Sequence, residues 1–173
     1  MRTLTLFTLL FGLTLFFACD DDIATPTNPI DLLPPATQEG NYTFGCLVNG
    51  EALRSKSTTD IVAIYQKQSL FISMGNVIKQ LDTDIHLSIN STYVNESTYL
   101  LNNIKPGRGE VIEISNNGYL YKTNEFLTGQ LTISYFDSIN YIISGIFSFE
   151  ALSQDGQDTI RVTNGRFDTH YIP

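Results

Sequence analysis

A chain of 173 residues has room for one domain of ordinary size. Apolar residues make up 42% of it, enough to build a core, which excludes wholesale disorder. The formal charge of −8 becomes −9 once the first eighteen residues, with one Arg and no acid, are set aside. Such a surface repels phosphate backbones, and the scattered Lys and Arg form no basic patch, so nucleic acid is excluded as a partner.

Residues 1–18 read as a signal peptide. Arg2 supplies the positive end, and Thr3 to Ala18 follow as an apolar stretch rich in Leu and Phe. The stretch falls short of the roughly 20 residues of a spanning helix, so a lone membrane anchor is the weaker reading. Phe16-Phe17-Ala18-Cys19 resembles the bacterial lipobox, in which a small residue precedes the cysteine that receives lipid. Phe16 departs from the usual Leu. The expectation is lipid attachment at Cys19, several acyl chains holding the protein at about 0.8 kcal/mol per buried CH₂. Cys46 is then left without a disulfide partner.

Asp20, Asp21 and Asp22 come next. Plainly they are a solvated charge run. In lipoproteins of Bacteroidetes-type bacteria, an acidic run behind the lipidated cysteine resembles a surface-export signal, which implies an outer-membrane protein exposed on the cell. Pro26, Pro29, Pro34 and Pro35 mark residues 19–40 as the lipidated N-terminus and a flexible Pro-rich tether. About 20 such residues reach on the order of 60 Å.

From Asn41 to Pro173 the sequence predicts a single β-domain. Period-two alternation recurs between turn residues, with no useful helical periodicity. The turns are Asn49-Gly50, Lys105-Pro106-Gly107, Asn116-Asn117-Gly118, Asp155-Gly156 and Asn164-Gly165. Thr43–Val48 opens the domain. Ile61–Gln66 and Leu70–Ile78 are apolar on both faces and read as central. Ile85, Leu87 and Ile89 share one face, and Val111 and Glu113 belong to a further alternating strand. Leu131, Ile133 and Tyr135 share a face, as do Tyr141, Ile143, Phe147, Phe149 and Ala151, with a bulge or close contact at Gly145. About ten strands result, suited to an antiparallel sandwich or flattened barrel. A two-residue turn at Asn164-Gly165 would set Val162 against Phe167 inside and Arg161 against Asp168 outside.

Leu33-Pro34-Pro35-Ala36-Thr37-Gln38 and Thr43-Phe44-Gly45-Cys46-Leu47-Val48-Asn49-Gly50 resemble the opening of the DUF6252 family of uncharacterised Bacteroidetes lipoproteins. Leu131-Thr132-Ile133, Ile143-Ser144-Gly145-Ile146-Phe147-Ser148-Phe149 and Thr163-Asn164-Gly165-Arg166-Phe167-Asp168 look like its later motifs. The resemblance runs from Leu33 to Tyr171 and implies a small surface lipoprotein with no assigned catalytic residues.

The candidate chemistry is sparse. Asp82, Asp84 and His86 share one face of a strand, and Asp168 and His170 repeat the spacing with Arg166 beside them. Two Asp-x-His pairs on neighbouring strands would make a divalent-metal site. The plainer account is two wet strand faces, and no metal or cofactor is expected. Cys46 reads as a buried thiol within a strand, without an electropositive, accessible setting. Neither a Gly-x-Ser-x-Gly elbow nor a phosphate-cradling loop is present. Tyr93, Tyr99, Tyr119 and Tyr121 lie near turns, where they would close the sandwich or form a platform for a glycan or protein. Asp137-Ser138-Ile139 and Asp158-Thr159-Ile160 look like bacterial O-glycosylation sites, at Ser138 and Thr159. The leading expectation is a non-enzymatic, membrane-anchored binding or docking domain. A carrier of a small apolar ligand and a metal-dependent or hydrolytic enzyme are the alternatives.

Overall fold

The computed structural model describes residues 28–75, 83–90, 92–103, 107–113 and 120–173, the 107–113 stretch by its backbone alone. It is all-β. The strands are β1 (Thr43–Val48), β2 (Glu51–Arg54), β3 (Ile61–Gln66), β4 (Ser69–Met74), β5 (Thr83–Asn90) and β6 (Thr98–Leu101). They continue as β7 (Gly107–Glu113), β8 (Leu120–Lys122), β9 (Gly129–Asp137), β10 (Ile142–Ser153) and β11 (Thr159–His170). Hydrogen bonds run in the order β2-β1-β11-β10-β9-β6-β7-β5-β4-β3, with β8 joined to β10 and β7. Pairing between these strands is antiparallel except for the parallel contact of Leu101 with Gly107, and a parallel bridge outside them joins Ile64 to Ile172.

The path folds over itself. Phe44, Phe147, Val162 and Phe167 from β1, β10 and β11 pack in one cluster with Ile72, Ile85 and Leu87 from β4 and β5. The free edge of β3 meets the chain just beyond β11, where Tyr65 N–H donates to the Ile172 carbonyl (2.8 Å) and Ile172 N–H to that of Ala63 (2.9 Å). The result is an antiparallel sandwich with one short parallel seam. Its core follows from period two: Leu70, Ile72 and Met74 on β4 and Ile85, Leu87 and Ile89 on β5 are all buried.

Asn49 and Gly50 form the expected hairpin turn with φ of 49° and 90°, and Asp155-Gly156 turns the chain between β10 and β11. Lys67 and Gln68 turn β3 into β4 with φ of 50° and 63°, without the Gly or Asn that would advertise it. Asn116–118, residues 76–78 and Lys105-Pro106 lie outside the described residues.

The expected hairpin at Asn164-Gly165 is not there. Both residues lie inside β11, which runs unbroken along β10 and β1. The register shifts on both neighbours at this point, so Asn164 (φ 53°) is the extra residue of a β-bulge. Gly165 follows because a Cβ there would fall 2.5 Å from the Phe147 ring. Asn-Gly reports a tolerance for positive φ, which a bulge uses as readily as a turn. Arg161 consequently faces Glu150 on β10, with Nη2 2.6 Å from Oε1, and not Asp168.

A second bulge, at Ser134 on β9, moves the side chains beyond it to the other face. Phe136, not Tyr135, therefore continues the row of Leu131 and Ile133 and stacks on Tyr171 at 5.3 Å. Tyr141 lies just outside β10, half-exposed, with its ring edge against Tyr171. Gly145 makes the expected close contact, lying against the Thr132 carbonyl and the Phe167 ring.

Candidate functional site

The outer face of β9, β10 and β11 is crossed by residues 37–41. The crossing is organised by Asp168, an outward position on β11 that alternation would leave wet but that is fully buried. Thr37 Oγ1 donates to its Oδ2 at 2.6 Å, joined by the backbone N–H of Glu39 (3.0 Å) and Asn41 (3.2 Å). Gly40 N–H (2.8 Å) and Ser144 Oγ (2.7 Å) donate to Oδ1. Burial on its own would raise this carboxyl. The bonds from Thr37, Glu39, Ser144 and Gly40 outweigh it and hold Asp168 below the usual carboxylate range. Gln38 reaches further, donating to the Ser134 carbonyl on β9 (3.1 Å). Upstream, Leu33 is buried, Pro34 packs against Gly45, and Arg54 Nη1 donates to the Leu32 carbonyl (3.1 Å). From Leu32 to Asn41, the segment expected to be free tether is thus a strap docked on the domain.

The strap closes one end of a trough along β10. Its first part is a cleft of about 320 Å³ lined by Ala36 of the strap, Gln130, Thr132, Ile146, Ser148, Asn164 and Arg166. Gln130 and Ser148 are shared with a second cleft of about 530 Å³, which extends toward Leu100, Glu150 and Arg161. Gln130, Ser148 and Ile146 occupy outward positions of paired strands, so the floor is a polar sheet face interrupted by one half-exposed aliphatic side chain. Arg166 Nε donates to the Asn164 carbonyl (3.3 Å) at the bulge, which fixes the base of the guanidinium.

The residues singled out in sequence do not converge. Asp84 and His86 lie on β5, Asp168 and His170 on β11, with Asp82 outside the described residues. Four strands separate β5 from β11 one way and two the other, across the seam. Even the shorter route is about 14 Å at ordinary strand spacing, too far to share an ion. Among the described residues no three of His, Cys, Asp or Glu are grouped to hold a metal. His170 instead stacks on Tyr42 at 5.2 Å over Gly40.

Cys46 is buried in β1 between Phe44 and Leu47, and burial pushes its thiol up to about 12, where no useful thiolate exists. Tyr99 is buried, with its hydroxyl bonded to Asn95, and Tyr121 is buried with its hydroxyl on Asp158. Tyr93 is exposed and Tyr119 lies outside the described residues, so these tyrosines make no common platform among the residues described. Ser138 and Thr159 are both exposed, Ser138 in a turn capped by the Asp137 carboxylate. Cys19 and Asp20 to Asp22 precede the described residues.

Residues 41–170 match a domain of unknown function, DUF6252. The chain belongs to this family. No curated protein and no solved structure matches it. The matched region of this DUF6252 protein holds the bulge, Asp168 and Arg166, whereas the strap residues Ala36 to Gly40 lie just outside it. The sequence did signal part of the cleft: Ile146 is an aliphatic residue at an outward position between Ser144 and Ser148. Gln130, Thr132 and Asn164 carried no signal beyond being polar, because strand pairing sets Thr132 and Arg166 on either side of Ile146 and the bulge adds Asn164.

Proposed function

We propose that this DUF6252 protein is a lipoprotein anchored through Cys19 to the outer membrane, displayed at the cell surface, and built to bind a protein or glycan partner without catalysis. The observation that carries the reading is the docked strap. Residues 37–41 are locked to β11 by Asp168, and upstream the strap is held as far back as Leu32, whose carbonyl accepts from Arg54. Thirteen residue steps then separate Cys19 from the docked strap, at most about 45 Å of chain. A domain on so short a lead keeps a fixed outer face beside the membrane, which suits docking better than long-range capture. The buried apolar side chains of the described strands pack as one cluster, which favours a filled core over a carrier of an apolar ligand. The candidate catalytic groups are each used otherwise, Asp168 in the clamp and Cys46 in the core.

The test has two arms. Cys19→Ala should release the protein from membranes and abolish incorporation of labelled fatty acid. Protease added to intact cells should remove the domain of the unaltered protein. A C19A protein that stays in the membrane, or a domain fully protected on intact cells, overturns the reading.

A further inference from the structure

We propose that the cleft between the strap and the outer rows of β9–β11 binds an acidic sugar, with Arg166 taking its carboxylate. This rests on reading the domain as a binding module and names the ligand class. Arg166 is half-buried, and its Nε is held by the Asn164 carbonyl. Its two terminal NH₂ groups meet no protein acceptor among the described residues. The obvious competitor is Asp168, two positions along the same face, but its oxygens already accept five bonds from the strap and Ser144. The neighbouring cation, Arg161, is neutralised by Glu150. In a protein with 18 acids against 10 bases, the cleft therefore opens onto an uncommitted guanidinium.

A guanidinium fork matches a carboxylate through two parallel bonds. The rest of the lining is neutral: the amides of Gln130 and Asn164, and the hydroxyls of Thr132 and Ser148. These pair with hydroxyl groups, not with further charge. Ile146, 52% exposed on the floor, offers a face for the C–H side of a sugar ring. A volume of about 320 Å³ holds one or two rings, and the opening toward the second cleft lets a longer chain run along β10. The strap supplies the end wall through Ala36, so the clamp that docks the domain also shapes its site.

The experiment titrates the mature chain in detergent micelles with digalacturonate, neutral galactobiose and inorganic phosphate, read by calorimetry. Digalacturonate should bind saturably, and both other probes about tenfold more weakly or worse. Arg166→Gln should weaken digalacturonate about tenfold while keeping the denaturation midpoint, and Ser148→Leu should block the floor with the charge intact. Arg161→Gln should change little. Equal binding of galactobiose, equal binding of phosphate, an unaffected R166Q, or no binding of digalacturonate each overturns the proposal. None of these results bears on membrane release by C19A or on protease shaving, so the anchoring reading fails or stands separately.

Discussion

Strands β5 and β11 each carry an aspartate two positions before a histidine, and each aspartate loses water from at least one carboxylate oxygen. Asp168 on β11 receives five donors. Asp84 on β5 lies across Gly75, and its buried Oδ1 has no donor among the described residues. Burial raises the Asp84 carboxyl, partly offset by the charge of His86, while Asp168 is held low. The surroundings differ in the same sense. Strands β3, β4 and β5 pair in unbroken register, whereas the pairing of β9, β10, β11 and β1 is broken by two bulges, at Ser134 and Asn164. The regular region supplies core. The irregular one turns side chains out of alternation and builds a clamp and a cleft, and a strand motif acquires its meaning from which region it enters.

The largest expected effect is at the clamp. Asp168→Ala leaves the donors of the strap and Ser144 unmet, and should cost about 3–5 kcal/mol in urea denaturation. Amide exchange at Gly40 and Asn41 should rise with it. Ile72→Ala in β4 should cost about 2–5 kcal/mol through a cavity, yet leave those two amides protected relative to global unfolding. A loss under 1 kcal/mol for D168A, or strap amides that loosen equally in both variants, would erase the distinction between the regions.

The regular region was legible because nothing in it breaks period two. The Ile85, Leu87, Ile89 row stands where alternation puts it; Ile61–Gln66 forms its strand too, but at the end of the path and not centrally, with Val62 turned to solvent. In the irregular region each misreading traces to one inserted residue. Asn164 has the propensity of a hairpin turn, but the strand continues past it. Ser134 exchanges the faces of Tyr135 and Phe136. The clamp was hidden for another reason: Thr37 lies 131 positions from Asp168 and gives nothing but a hydroxyl and nearby N–H groups. No local pattern announces backbone donors.

The bulge tests the comparison at intermediate size. Gly165→Ala drives a methyl group toward the Phe147 ring and should cost about 1–3 kcal/mol. Asn164→Val, forced to hold a positive φ, should cost about 1–2 kcal/mol, while Asn164→Gly should stay within a few tenths. All three are read as shifts in the urea midpoint. A tolerated N164V would mean that the bulge does not constrain the strand, and Arg166 would lose its fixed base.

The smallest effect is at Asp84, and its sign is the informative part. A carboxyl held low in the fold contributes stability that is present above the unfolded value near 3.9 and lost as pH falls through the folded one, which is the behaviour expected of Asp168. A carboxyl held high contributes most below the unfolded value, and that contribution fades as pH rises through the folded one, which is the behaviour expected of Asp84. Asp84→Asn removes a charge that the native state solvates poorly. It should leave the protein unchanged or up to about 1 kcal/mol more stable at pH 7, with the gain vanishing toward pH 3. Asp168→Asn should do the reverse, its deficit shrinking as acid removes the same interaction from the unaltered protein. If both asparagine variants shift stability in the same direction at pH 7, an unseen donor satisfies Asp84, and the two Asp-x-His strands are alike after all.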